Sequence, residues 1–216
     1  MSKPYSEADL SQLLTDDRTW RIREISDLKG AICRADAVSQ RVLLRGLVAI
    51  CYAHWEGYVR NASTKFLEHI ALRKFKYDQL ERQFTRNRFL PRLANLVATK
   101  GGFAERCELV DAILDCGAKR FSRVNADLIN TKSNLNYEVF SDICNVCGVS
   151  MDGFSVHETF IDILLLKRRN SIAHGEDTFI AIDDLDEVAA TTIELMRQFS
   201  HALENQACAR TFLSTP

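Results

Sequence analysis

Residues 35–71 carry two adjacent apolar stripes at helical spacing, and no other feature restricts the fold as much. One stripe is Leu43, Leu47, Ile50/Cys51, His54 and Tyr58; the other is Val48, Trp55, Val59, Phe66 and Ile70. A helix that buries one face shows one stripe, whereas two adjacent stripes cover most of its circumference. The spacing therefore predicts a long central helix, largely buried, with the rest of the chain packed around it.

The remainder reads as almost all helix. Shorter helices are expected near 6–14, 18–30, 89–99, 104–118 and 136–147, with Gly101-Gly102 as a break. Ser155-x-x-Glu158 reads as a capping box opening a helix through Phe160, Ile161, Ile163, Leu164, Leu165 and Leu166. Asp184-x-x-Glu187 reads as the start of a last helix with Leu185, Val188, Ile193, Leu195, Met196, Phe199 and Leu203, and residues 178–182 as a short extended link. The fold class is all-α. With 216 residues, only three prolines and no Gly/Ser/Pro-rich linker, one domain over 1–216 is expected.

The first seven residues lack the apolar core of a signal peptide, and no apolar run approaches the roughly 20 residues of a membrane span. A cytoplasmic location, no membrane partner and reduced thiols are expected for the seven cysteines. Cys144-x-x-Cys147 sits in an apolar helix pattern without two further ligands at similar spacing, so neither a metal site nor a cofactor is expected.

Chemistry concentrates in Arg168-Arg169-Asn170-Ser171-Ile172-Ala173-His174-Gly175-Glu176. Histidine exchanges protons near neutral pH. Arginine stays charged and grips phosphate oxygens bidentately, and Asn170 adds a neutral hydrogen bond. On an ideal helix Arg169 and His174 stand about 140° apart, while Asn170 and His174 share a face. Gly175 is a natural residue just past a helix end. Arg168 fits the spacing as well; Arg169 is preferred because the polar Asn170 follows it directly. The plain alternative is a helix end whose cations complement the dipole.

Three blocks in order carry a resemblance. Tyr52-Ala53-His54-Trp55-Glu56-Gly57-Tyr58-Val59, then Thr131-Lys132-Ser133-Asn134-Leu135-Asn136 with Cys147-Gly148-Val149, then Ile172-Ala173-His174-Gly175-Glu176 resemble the HEPN superfamily. Within it they resemble the group holding the RiboL-PSP-HEPN and MAE_28990/MAE_18760-like nucleases. No block is recognised between about 73 and 130. The resemblance implies a HEPN-like helical bundle that cuts RNA without a metal, with Arg169, Asn170 and His174 catalytic and Arg168 and Glu56 supporting. It also implies a homodimer whose two motifs face one shared cleft. Relatives of this kind often act as toxins or phage-defence effectors, sometimes beside an antitoxin.

Glu56 has two readings: a solvated i,i+4 pair with Arg60, or a carboxylate that orients the motif arginine. His54 reads as a core histidine; His69, His157 and His201 read as surface or capping groups. A net charge of −1 excludes a globally basic RNA-coating protein. Residues 65–106 nevertheless hold ten basic groups against four acidic ones, a local excess of six, with Phe75, Tyr77, Phe84 and Phe89 interleaved. Arg73, Lys74, Lys76, Arg82, Arg86 and Arg88 are therefore candidate RNA contacts, against a solvated face with its rings in the core. The acidic stretch of Glu176, Asp177, Asp183, Asp184, Asp186 and Glu187 reads as having no balancing cation.

The reading is a metal-independent endoribonuclease with RNA as partner, leaving 2′,3′-cyclic phosphate and 5′-OH ends. The rivals are a non-catalytic helical dimer that binds RNA or a partner protein, and a scaffold whose motif only caps a helix.

Overall fold

In the computed structural model, which describes residues 3–132 and 134–214, every regular element is helical. Helix α1 spans Glu7–Arg34. Ser6 starts it with a reciprocal cap: its hydroxyl accepts from the Asp9 N–H and the Asp9 carboxylate accepts from the Ser6 N–H. The two helices expected near 6–14 and 18–30 are one element, because nothing between them breaks it. Asp17 stays helical, accepting two hydrogen bonds from Arg21 one turn on.

Helix α2, Ala37–Leu72, is the predicted central helix. Asp36 caps it by accepting from the Val38 and Ser39 N–H groups. It packs on α1 and on the last helix, α7 (Asp184–Ala209), and also carries α5 (Tyr137–Cys147) and the motif segment. At the junction of α2, α5 and α7, the Phe140 ring lies 5.0 Å from Trp55 and 5.4 Å from Phe199. His54 is in the core as expected. His69 is a correction: it is fully buried, and Nδ1 lies 3.0 Å from the Pro4 carbonyl, so it ties the N-terminal segment to α2.

Helices α3 (Arg82–Ala98) and α4 (Phe103–Leu114) form a hairpin around Gly101-Gly102. The first begins earlier than expected, and the second ends earlier. Cys144 and Cys147 are buried on α5, where burial raises both thiols, Cys147 to about 12. Both therefore behave as small apolar groups.

The motif segment differs most from expectation. Ser155 caps nothing; its hydroxyl donates to the Asp152 carbonyl, and Ser155–His157 is one 3₁₀ turn. Phe160–Lys167 is then π-helical and runs into α6, Arg168–Ala173. The buried residues explain the wider turn. Phe160, Ile161, Leu165 and Leu166 all face the core, whereas an α-helix would spread them over about 240°. Wider i→i+5 bonding brings the two pairs back to one side, and such turns occur often beside functional sites. The residue preceding α7 is Asp183, with no side-chain cap; the Asp184 carboxylate is instead occupied by Arg168. Residues 176–181 form neither helix nor strand, so the link expected over 178–182 is irregular; its Thr178 N–H turns back onto the Glu176 carbonyl at 2.9 Å.

Candidate active site

Helix α6 ends in a turn built by Gly175. Its φ of 78° lets the Glu176 N–H reach the Ser171 carbonyl (2.9 Å) and its own N–H reach Ile172 (3.1 Å), the paired bonds of a Schellman turn. His174 is the last residue before it and is exposed. The imidazole thus stands at an open helix end.

The chain after His174 is held from α2. Arg45 donates from Nη2 to the Glu176 carbonyl (2.9 Å) and from Nη1 to the Thr178 carbonyl (3.0 Å). Arg41 pairs with Asp177 at 2.6 Å, Lys29 pairs with Asp186, and Arg168 reaches Asp184 at 2.9 Å. The acidic stretch therefore does have cations. They come from α1, α2 and α6, which sequence neighbours cannot reveal.

The two motif arginines part company. Arg168 fastens α6 to the start of α7. Arg169 turns to α2, its guanidinium carbon 4.3 Å from the centroid of the Tyr52 ring. It also donates to the Asn170 side-chain oxygen at 2.7 Å, and the Asn170 amide donates to Asn134 at 3.2 Å. The Asn134 loop is itself pinned to α2. The Leu135 N–H donates to the Tyr52 hydroxyl at 2.7 Å, and the Thr131 hydroxyl donates to the Glu56 carboxylate. Burial pushes the Tyr52 phenol up to about 12, against the Leu135 N–H and with the nearby Glu56 carboxylate. It therefore stays a neutral phenol.

Glu56 and Asn170 thus bond Thr131 and Asn134, and Tyr52, which bonds Leu135, carries Arg169 on its ring. Glu56 does not form the simple Arg60 pair; its partner among the described residues is Thr131, and it lies beside Tyr52, which carries Arg169. Ser133, inside the same block, lies outside the described residues. Tyr52, Thr131, Asn134 and Arg45 were given no individual role by the sequence. The first three lie in the two blocks that carried the resemblance, while no local signal marks Arg45.

The basic segment lies elsewhere. Arg73 follows Tyr52 by 21 positions on α2, roughly 30 Å along a helix. It is held by Glu7 at 2.8 Å. Lys74, Lys76, Arg82, Arg86 and Arg88 are exposed, but Tyr77, Phe84 and Phe89 are buried and Phe75 is partly so. Arg88 lies over Tyr77, 5.2 Å from its centroid. The cations face outward while the rings serve the core.

An all-helical bundle with a polar arginine–asparagine–histidine motif at the end of a helix packed on a long central one is the HEPN architecture. The RiboL-PSP-HEPN family model matches residues 16–205, and the chain belongs to that family. No curated protein and no solved structure matches the chain.

Proposed function

We propose that the protein is an endoribonuclease working without a metal cofactor, and that Arg169, Asn170 and His174 carry the reaction. The observation that supports this best is the local division of labour. Arg169 is braced by Tyr52 and Asn170, a fixed cation for a phosphate, while His174 stands exposed at the helix end, open to a ribose hydroxyl. Family membership points to RNA chemistry in general.

RNA supplies its own nucleophile, the 2′-OH. A base removes its proton, the oxygen attacks phosphorus, and the 5′-oxygen leaves with a proton from an acid. The ends are a 2′,3′-cyclic phosphate and a 5′-OH. One imidazole cannot begin a turnover as both base and acid. In our reading two chains pair, so that one His174 takes the 2′-OH proton and the other protonates the leaving oxygen. The two Arg169 side chains stabilise the charge on phosphorus. Lys74, Lys76, Arg82, Arg86 and Arg88 would hold RNA flanking the cleft. The biological role that fits is a toxin or phage-defence effector acting in the cytoplasm, restrained by an antitoxin or other partner protein.

A second reading has support from the same contacts. Arg169 and Asn170 are engaged within the chain, as they would be if the motif only fastened α6 to α2 in a non-catalytic helical dimer. RNA cleavage in EDTA by wild type and by His174→Ala separates the two. Cleavage by wild type and its loss in the variant support the nuclease. Cleavage strictly dependent on added divalent metal, or cleavage retained by the variant, overturns the mechanism. RNA binding with no cleavage supports the second reading.

A further inference from the structure

We infer that the cavity beside the motif is a guanine-binding subsite, which would make the enzyme selective for a guanine near the cleaved bond. The cavity has a volume of about 330 Å³ and is lined by Arg60, Thr64, Asp127, Ile129, Asn130 and Thr131. Its second half, the placement beside a scissile phosphate, rests on the nuclease reading above; the binding half does not.

Three groups on its wall have unused hydrogen-bonding capacity among the described residues. Glu56, the expected i,i+4 partner of Arg60, is turned to Thr131 instead, and the exposed Arg60 guanidinium has no acceptor of its own. Asn130 uses its side-chain oxygen to accept from the Lys132 N–H at 2.8 Å, which leaves the amide NH₂ as the group it presents. The Asp127 carboxylate accepts no hydrogen bond, although the residue's N–H is taken by Asn125 at 3.0 Å. Buried Ile129 adds an apolar wall.

The donors and acceptors match one base. A guanidinium forks onto the O6 and N7 acceptors of guanine. A carboxylate accepts from the donor pair N1–H and N2–H₂ on the opposite edge. Adenine presents an amine where the guanidinium needs an acceptor, and an acceptor where the carboxylate needs a donor. Uracil and cytosine lack a five-membered-ring edge for the fork.

Position links this cavity to the motif. Thr131 lines it while donating to Glu56, and Asn134, three positions on in the sequence, bonds Asn170. Arg60 lies two turns beyond Tyr52 on α2, roughly 12 Å along the axis, a span within reach of one or two nucleotides.

The test titrates the full chain with guanosine, inosine and adenosine 5′-monophosphates by amide NMR. The expected result is shifts centred on Arg60, Asp127 and Asn130, with guanosine bound at least tenfold tighter than adenosine. Inosine, which lacks the N2 amine, should fall between them. Asp127→Asn and Arg60→Ala, both at exposed positions, should each weaken guanosine binding at least tenfold. Equal binding of the three nucleotides, shifts centred elsewhere, or unchanged affinity in both variants overturns the subsite. Guanosine binding there by a protein that cleaves no RNA would defeat the nuclease reading and leave the subsite standing. RNA cleavage with no guanosine preference in either assay would do the reverse.

Discussion

The Arg169 guanidinium sits over the ring of Tyr52, 4.3 Å from its centroid. The same phenol hydroxyl accepts the Leu135 N–H. One α2 side chain therefore positions the motif arginine with its face and anchors the neighbouring loop with its edge. These two tasks are separable. Tyr52→Phe keeps the face and leaves the Leu135 N–H unpaired, at a cost of about 1–3 kcal/mol for a buried donor. Tyr52→Leu removes the face as well. Melting experiments should show both variants destabilised, and single-turnover cleavage should show only the leucine variant slowed, by roughly tenfold or more. Equal loss of cleavage in both would mean that Tyr52 does not act through Arg169.

Substitution of the motif should abolish cleavage far more than it disturbs the fold. His174→Ala removes an exposed group from a helix end, where dipole interactions are worth about 0.3–1 kcal/mol. Acid–base help is worth about 10²–10⁴-fold. If two chains complete one cleft, mixing inactive Arg169→Ala chains into wild type should lower activity more steeply than the wild-type fraction falls. A linear decline, in dimers shown to exchange subunits, would mean that each chain works alone.

Arg45 should matter to His174 without touching it. Its two hydrogen bonds hold the carbonyls of residues 176 and 178, just past the helix end. Arg45→Ala should lower kcat severalfold with little change in KM, and broaden the His174 imidazole signals in NMR. Arg45→Lys should restore little, because an ammonium does not offer the two-pronged fork of a guanidinium. An unchanged kcat together with unchanged His174 signals would remove Arg45 from the site.

Gly57 is expected to resist alanine. In an open helix position Gly→Ala stabilises by about 0.5–1 kcal/mol. Here an added Cβ would lie 2.7 Å from Nη1 of Arg21. That guanidinium is buried, bonded to Asp17 and to the His54 carbonyl at 3.4 Å. Gly57→Ala should therefore lower the urea midpoint; a rise would show that Arg21 moves aside freely.

Stability should fall as the pH drops below about 6.5, the ordinary histidine value. Burial holds both His54 and His69 below that value. Glu24 pulls His54 up and Arg21 pushes it down; Arg73 pushes His69 down, while the Pro4 carbonyl and Glu7 pull it up. With folded-state values below unfolded ones, the unfolded chain binds more protons in this window. The stabilisation is thus complete above about 6.5 and is lost as pH falls through the folded values. Urea unfolding at pH 7.5 and 5.5 should show the loss, and His69→Asn should reduce the slope. A pH-independent midpoint would contradict it.

The all-helical class, the central helix from its two stripes, and the Gly175 turn after His174 were legible in the sequence because each rests on local spacing or on one residue's backbone freedom. So was the family, because its blocks keep their order along the chain. What the tertiary structure decided is which groups meet. Arg168 and Arg169 both fit the motif spacing, and only the docking of α6 against α2 and α7 sends one to Asp184 and the other to Tyr52. The π-helical run arises because Phe160, Ile161, Leu165 and Leu166 must face one core, and a local capping signal at Ser155 cannot compete with that burial. Arg45 lies 131 positions from Glu176, and its hydrogen bonds exist only once the helices have packed. Spacing along a chain fixes the face on which a side chain stands; the partner it finds there depends on a second element whose place is set by the core.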